Sequence, residues 1–299
     1  MASKTTKPVV FVIGASGTIG TATVKALSLG YGQKLHIKAG VRNPEKAKAL
    51  NELVGVTVVQ AEMGQKEKLK ETFQGVNALF IVVPSSENRA QLTIATTEAA
   101  QDAEVQHVLV LSAVTIHLSD SKLGKQFNEI ETAVSSLGVS HAFIRLPFFI
   151  DNYYAYLASI KNKSEFYGPV DPNMPYTPVA AQDVGSAAAA ILASPEKHAG
   201  KTYTLVSDRH TFGDVAKAFS KELGREVKYV RMSYEDAKVS FMQSGLQEWG
   251  VDGLLQAYKL IDAGSPITNQ ENLGDFSEIT GKKPTSLSTW VSKVATAFK

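Results

Sequence analysis

Near the start of the chain, a run of β-prone apolar residues leads directly into three evenly spaced glycines, in residues 9–20 (VVFVIGASGTIG). Gly14 permits a sharp exit from a strand, and Gly17 lets the backbone approach a phosphate with no Cβ between them. Gly20 lets the following helix pack closely on the strand. Apolar residues at helical spacing continue to Leu29, so the stretch predicts a strand, a tight turn and a helix.

The amino terminus of a helix offers N–H groups and a partial positive charge to a phosphate. The turn therefore predicts a dinucleotide-binding loop, and the alternative is a glycine-rich turn with no ligand. Its spacing is G-x-x-G-x-x-G, with Ser16 where the common fingerprint has its second glycine. The residues predicted to contact the nucleotide here are Gly14, Ser16, Gly17, Thr18, Ile19 and Gly20.

Composition excludes several classes of protein. The 299 residues carry a net charge of +2 without a basic block, so nothing indicates binding to nucleic acid or to an anionic membrane. No cysteine is present, which removes disulfides, thiolate nucleophiles and cysteine metal sites. The six histidines are scattered without metal-ligand spacing, so we expect no metal. Residues 1–7 are polar and no apolar run reaches membrane-spanning length, so we expect a cytoplasmic protein.

The end of the second predicted strand, residues 35–41, favours one cofactor over another. An NAD enzyme places Asp or Glu there, where the carboxylate binds the ribose 2′-hydroxyl. This chain has Arg42 instead, followed by Lys46. A guanidinium can donate two hydrogen bonds to a 2′-phosphate, so we expect NADP(H) in preference to NAD(H). The alternative is that Arg42 is a solvated loop cation.

Strands and helices alternate through about residue 152, which predicts a Rossmann fold, a doubly wound parallel sheet with helices on both faces. We expect residues 1–152 to form an NADP(H)-binding domain. Residues 153–299 have a mixed pattern and should form a smaller α+β lobe on the substrate side, from which one or two strands return to the main sheet.

The carboxyl ends of the strands line the ligand crevice in such a sheet. The fourth strand is predicted over residues 78–83, and the sixth is closed by a proline. We expect contacts with the ribose and nicotinamide from the residues at these ends, Val83, Pro84, Ser85 and Pro147.

An aromatic cluster follows the sixth strand, with Phe148, Phe149 and Tyr153 among its members. Such clusters usually pack in a core. Because this one begins at the crevice end of a strand, an apolar wall for a planar substrate is equally favoured.

The glycine turn, Arg42, residues 145–152 (RLPFFIDN), residues 167–169 (YGP) and residues 183–184 (DV) together resemble the NmrA-like family of atypical short-chain dehydrogenase/reductases. The resemblance covers nearly the whole chain. It implies a Rossmann fold, bound NADP(H) and a cleft between two lobes. Similar subgroups are NAD(P)H-dependent quinone and triphenylmethane-dye reductases, and NADP-sensing regulators. The resemblance also implies that Glu62 lies near the adenine, where relatives usually carry Asp.

A typical short-chain dehydrogenase uses Ser, Tyr and Lys. By resemblance, Ser112 matches the serine, whereas Leu123 and Phe127 occupy the tyrosine and lysine positions in a helix predicted from about residue 125 to 137. Lys125 lies about 200° around that helix from Phe127 and is no simple substitute. Lys122, expected in the preceding loop, would have to swing in, and a solvated lysine is the simpler interpretation.

Without the Tyr–Lys pair, the residues favour acceptors that need no internal acid. Ser112 would donate a hydrogen bond to the substrate or bond its own backbone. His117 would act as a proton donor, or it would be merely exposed or structural. One hypothesis is hydride transfer from NADPH to a planar electron-poor acceptor such as a quinone. The alternative is a non-catalytic NADP(H) sensor that binds a regulatory protein partner.

Overall fold

The computed structural model describes residues 7–270 and 274–299. Residues 1–6 of the polar amino-terminal segment therefore lie outside the described residues. The strands are β1 (Val9–Ile13), β2 (His36–Val41), β3 (Val56–Gln60), β4 (Ala78–Ile81), β5 (His107–Ala113), β6 (His141–Leu146), β7 (Glu165–Gly168), β8 (Thr202–Thr204) and β9 (Lys228–Arg231).

The α-helices are α1 (Thr18–Tyr31), α2 (Lys66–Thr72), α3 (Arg89–Asp102), α4 (Lys122–Ser136), α5 (Leu157–Lys163), α6 (Ala181–Ala193), α7 (Phe212–Leu223), α8 (Tyr234–Gln243), α9 (Glu248–Asp262), α10 (Asp275–Thr280) and α11 (Leu287–Val294). Segments of 3₁₀ helix cover Pro44–Glu52, Val114–His117, Ile150–Tyr156, Pro195–Lys197 and Ala295–Phe298. No helix among the described residues is long and apolar enough to cross a membrane.

Seven strands form one sheet in the order β3-β2-β1-β4-β5-β6-β8. The pairs that β1 makes with β2 and β4 are parallel, as are β2 with β3, β4 with β5, and β6 with β8. The strand order reverses direction between β1 and β4, as in a doubly wound sheet. This architecture confirms the predicted Rossmann fold class.

The central strands are buried because helices cover the sheet. All four residues of β4 are buried, and Phe11 and Val12 of β1, which point to opposite faces, are each 0 % exposed. Helix α1 packs against α6, and helices α2, α3 and α4 pack in succession. The continuous apolar runs in the sequence therefore reflect burial on both faces.

Two predicted boundaries were wrong. Strand β4 ends at Ile81 rather than residue 83, and Pro84 lacks the N–H that a longer ladder would need. Helix α4 begins at Lys122 because Ser121 caps it, its hydroxyl accepting a hydrogen bond from the Gly124 N–H at 3.2 Å.

The chain divides into two compact units. Unit 1 comprises the described residues up to Arg145, together with Ala181–Thr204 and Glu278–Gly281, and it contains most of the large sheet. Unit 2 comprises Leu146–Ala180, Leu205–Ser277 and Lys282–Lys299 among the described residues. Strand β8 comes from the second half of the chain and pairs with β6. The assignment of nucleotide binding to residues 1–152 and substrate binding to residues 153–299 remains a prediction.

Unit 2 contains a parallel pair of strands, β7 and β9, and an aromatic core. Its helix α7 begins at a capping box in which Thr211 and Asp214 satisfy each other's backbone N–H groups.

Candidate functional site

The turn after β1 has the geometry that its glycines predict. Gly14 has φ of +84°, a conformation that favours glycine, and an added Cβ there would lie 3.2 Å from the Val82 Cβ. A Cβ on Gly20 would lie 2.2 Å from the Gly14 carbonyl oxygen, so only glycine permits this approach of α1 to the turn. The Gly17 N–H donates to the Gly14 carbonyl oxygen at 3.1 Å and closes the loop.

The amino terminus of α1 suits an anion. Gly17 is its N-cap, no side chain caps it, and its first turn contains no acidic residue. Ser16, Gly17 and Thr18 are exposed, whereas Ile19 and Gly20 are buried. The exposed backbone and the positive end of the helix dipole fit a diphosphate group. The nucleotide contacts predicted for Gly14, Ser16, Gly17, Thr18, Ile19 and Gly20 remain predictions.

Arg42 lies beside this turn. The N–H groups of Gly14 and Ala15 both donate to the carbonyl oxygen of Gly40, at 3.1 and 3.0 Å, two residues before Arg42. Arg42 and Lys46 are exposed. Nearby, Lys48 forms an ion pair with Glu45. The structure therefore places the end of β2, which Arg42 follows, against the predicted phosphate loop, and it leaves Arg42 and Lys46 exposed.

The remaining predicted nucleotide contacts in unit 1 follow β3 and β4. Glu62 is exposed and accepts a hydrogen bond from Gln65 Nε2 at 2.8 Å. Val83 and Pro84 are half-buried and Ser85 is exposed. Because β4 pairs with β1, these residues share the carboxyl edge of the sheet with the glycine turn. Their contacts with a nucleotide remain predictions.

A hydrogen-bonded network joins the carboxyl ends of β5 and β6 to the interior of α4. The Ser112 hydroxyl donates to Glu131 Oε1 at 2.5 Å. Arg145 donates to the same carboxylate twice, from Nε to Oε1 at 2.9 Å and from Nη2 to Oε2 at 2.7 Å. The Glu131 hydrogen bond raises the pKa of Arg145, so the guanidinium stays charged. Arg145 Nη1 lies 3.4 Å from Nε2 of His117.

This network bears on the two predicted catalytic residues. The single proton of the Ser112 hydroxyl is directed at Glu131, not at its own backbone, and Ser112 is only 2 % exposed. His117 is exposed, and its Nε2 accepts the Arg145 N–H because arginine can only donate. In this arrangement the Ser112 proton is directed to Glu131, and Nε2 of His117 faces Arg145. Catalytic roles for both remain predictions.

The structure places no acid–base pair at the Tyr and Lys positions. Phe127 is 7 % exposed and packs in the core of unit 1, and Leu123 packs against the same cluster. Lys122 begins α4 and forms an ion pair with Glu87 at 2.5 Å, so its expected position in the loop before the helix was wrong.

Sequence reasoning missed Arg89. Its side chain is 6 % exposed, and its Cζ lies 5.6 Å from the centroid of the Phe127 ring. Nε donates to the Ser86 carbonyl oxygen at 3.0 Å, and burial lowers the pKa of the guanidinium. A cation at the first position of a helix, where the dipole disfavours it, was the available signal.

The aromatic residues of unit 2 have different environments. Tyr153 is 1 % exposed and its hydroxyl lies 2.5 Å from that of Tyr176, so its predicted place in a substrate wall was wrong. Burial raises the pKa of Tyr153, which stays neutral. Phe148 is half-buried against Tyr176 and Tyr258, with ring centroids 6.0 and 5.6 Å apart. Phe149 is half-buried, and its role as a substrate contact stays a prediction. Pro147 is half-buried and belongs to unit 2, and its contact with the nucleotide also stays a prediction.

The fold and the glycine turn define an NAD(P)-binding α/β protein. The chain belongs to the NmrA-like family, whose model matches residues 6–269.

Comparison with known proteins agrees with this assignment. An NAD(P)H azoreductase of Xenophilus azovorans is 28% identical over 291 residues, covering 97% of this chain and 99% of the relative. The crystal structure of the NADPH-dependent quinone oxidoreductase of Escherichia coli, complexed with NADPH, has a TM-score of 0.81 and 27% identity, covering 95% of this chain and 99% of that one.

The fold is also shared with a negative transcriptional regulator, NmrA, whose structure contains NAD. Its TM-score is 0.78 at 19% identity, over 97% of this chain and 96% of the regulator. At that identity the likeness concerns the fold alone.

Proposed function

We propose that this chain is an NADPH-dependent oxidoreductase that reduces a planar, electron-poor acceptor such as a quinone. The observation that carries the proposal is the Ser112–Glu131–Arg145 network beside a helix without Tyr or Lys at the expected positions. A site without an internal acid suits an acceptor whose reduced oxygen takes its proton from water. The azoreductase and quinone oxidoreductase relatives support this class of substrate.

The residues of unit 1 fit a dinucleotide. Gly14 and Gly20 allow the turn to pack closely between β4 and α1, and the uncapped start of α1 can accept a diphosphate. Arg42 and Lys46 would bind a 2′-phosphate, which supports NADP(H) over NAD(H). When bound, NADPH supplies a hydride, and the acceptor gains that hydride and one solvent proton. The absence of cysteine agrees with a reducing, cytoplasmic compartment.

A calorimetric titration with NADPH, NADP⁺, NADH and NAD⁺ tests the nucleotide assignment. We expect tight binding of NADP(H) and weak binding of NAD(H). Arg42→Ala should weaken the binding of NADPH by roughly tenfold or more, because it removes a charge-assisted hydrogen bond. The affinity for NADH should stay unchanged. Lys48→Ala, which removes a cation already paired with Glu45, is the matched control and should change neither. Absence of binding by any nucleotide would refute the proposed function.

A second candidate is a nucleotide sensor that binds a regulatory protein partner. The absence of Tyr and Lys at positions 123 and 127 favours it, since a sensor needs no acid. Partner capture with NADPH and then NADP⁺ separates the two candidates: a sensor must distinguish them, whereas the enzyme must oxidise NADPH when a quinone is added.

A further inference from the structure

The loop between β4 and α3 is held at both of its ends. At its start, the Val82 N–H donates to the Ile13 carbonyl oxygen at 3.2 Å, and Val82 lies against Gly14 of the glycine turn. At its other end, Glu87 contacts α4. Residues 83–86, which we call the strap, therefore lie between two anchors.

The anchor at Glu87 uses both its side chain and its backbone. Lys122 Nζ donates to Glu87 Oε1 at 2.5 Å, and Gln126 Nε2 donates to the Glu87 carbonyl oxygen at 2.5 Å. Lys122 and Gln126 are four residues apart in α4, so they project from the same face of the helix. All three residues belong to unit 1, and the first two turns of α4 hold the end of the strap.

The two anchors differ in how easily they open. The Val82 hydrogen bond continues the pairing of β4 with β1. The Glu87 anchor is at the surface, because the side chains of Lys122 and Glu87 are 63% and 56% exposed. An ion pair with this exposure adds little stability, and salt screens it. The strap can therefore open at Glu87 at low cost while Val82 stays in place.

The strap emerges at the edge of the sheet where doubly wound folds bind their ligands. It follows β4, whose Ile81 lies opposite Ile13 of β1, and it includes three of the predicted nucleotide contacts, Val83, Pro84 and Ser85. A segment that is fixed at one end and weakly held at the other is suited to admit and release a ligand.

Building on the proposed function, we propose that Glu87 is a positioning residue that holds the strap against bound NADPH and so sets how fast the nucleotide leaves. Lys122 acts through Glu87, as the cation that keeps the strap closed. This role differs from that of an acid or base that touches the acceptor.

The test is stopped-flow release of NADPH, chased with excess NADP⁺ and followed by NADPH fluorescence. Glu87→Gln and Lys122→Met in the full chain should each release NADPH about two- to fivefold faster, the factor that an exposed ion pair supplies. Because both substitutions remove the same contact, the double variant should be no faster than either single variant. The Tm should stay unchanged in all three.

Salt separates positioning from a merely structural role. In about 1 M NaCl the wild-type ion pair is screened, so the release rates of the variants and of the wild type should converge. Lys201→Gln is the matched control, since Lys201 forms an ion pair with Glu278 at 3.6 Å in unit 1, with side chains 49% and 64% exposed, before the start of β8. It should leave the release rate unchanged.

Three results would overturn the proposal: single variants that release NADPH at the wild-type rate, a double variant whose effect is the product of the single effects, and release rates that differ equally at low and high salt. Variants that melt early but release NADPH at the wild-type rate belong to the first of these. A wild-type chain that binds no nucleotide would instead refute the proposed function itself.

Discussion

Removing Arg145 should destabilise unit 1 through the charge that it leaves behind. Arg145→Met deletes both hydrogen bonds from the guanidinium to Glu131, whose side chain is only 10% exposed. The carboxylate would keep only its bond from Ser112. Loss of one partner of a buried pair typically costs about 3–5 kcal/mol, and Glu131 is buried enough for that range to apply.

The same reasoning predicts that a second substitution restores stability. In Arg145→Met/Glu131→Leu no buried charge is left unpaired, so the double variant should be more stable than Arg145→Met by about 2 kcal/mol. Glu131→Leu alone should lower the free energy of unfolding less than Arg145→Met does, because the Arg145 side chain that it leaves unpaired is 23% exposed and can be hydrated.

Urea unfolding followed by far-UV circular dichroism would measure these differences. Trp249 and Trp290 both lie in unit 2, so tryptophan emission reports on the other unit and should shift less. A double variant that is less stable than Arg145→Met would refute the argument, since it would mean that the two costs simply add.

Two further predictions concern a turn and a pH dependence. Gly20→Ala should lower the Tm and weaken nucleotide binding, because its Cβ overlaps the Gly14 carbonyl oxygen. A Cβ on Gly30 would meet nothing within 4 Å, so Gly30→Ala should stabilise α1 by about 0.5–1 kcal/mol. Equal effects of the two variants in thermal melts would contradict this prediction. Burial lowers the pKa of His107 from 6.5 to about 4, so the unfolded chain binds that proton more readily. The stability that neutral His107 contributes is therefore present above pH 6.5 and is lost as the pH falls toward 4. The complete loss lowers the free energy of unfolding by about 3 kcal/mol. Urea titrations at several pH values should show a shallower acid loss in His107→Gln, and an unchanged loss would count against the assignment.

The glycine turn could be predicted because its information is local. Three glycines, an apolar run before them and a helical pattern after them fix the backbone within a dozen residues. The structure adds the reason that Gly20 is needed, which is the distance between its missing Cβ and a carbonyl oxygen.

The network around Glu131 could not be predicted, because its members come from β5, α4 and β6. The hydrogen bonds of Glu131 with Ser112 and Arg145 bridge 19 and 14 residues, and only the packed sheet brings them together. That contact decides where the serine proton goes.

The aromatic cluster shows the same limit in unit 2. Tyr153 and Phe149 are aromatic residues four positions apart in one cluster, but Tyr153 is 1 % exposed and Phe149 is half-buried. The local sequence shows how many apolar side chains the segment carries. Whether one of them packs in the core or lines a ligand site depends on contacts with residues distant in sequence, such as Tyr176 and Phe212.

The most direct test of the account is NADPH oxidation, followed by absorbance, with a quinone and with an aliphatic ketone of similar size as acceptors. Because the chain lacks an internal acid at positions 123 and 127, the account predicts saturable NADPH oxidation with the quinone and none with the ketone. NADPH that binds but stays reduced with quinones, azo dyes and triphenylmethane dyes would contradict the enzyme assignment and favour the sensor. Equally fast reduction of the ketone would show that the chain contains the acid that its structure lacks at those positions.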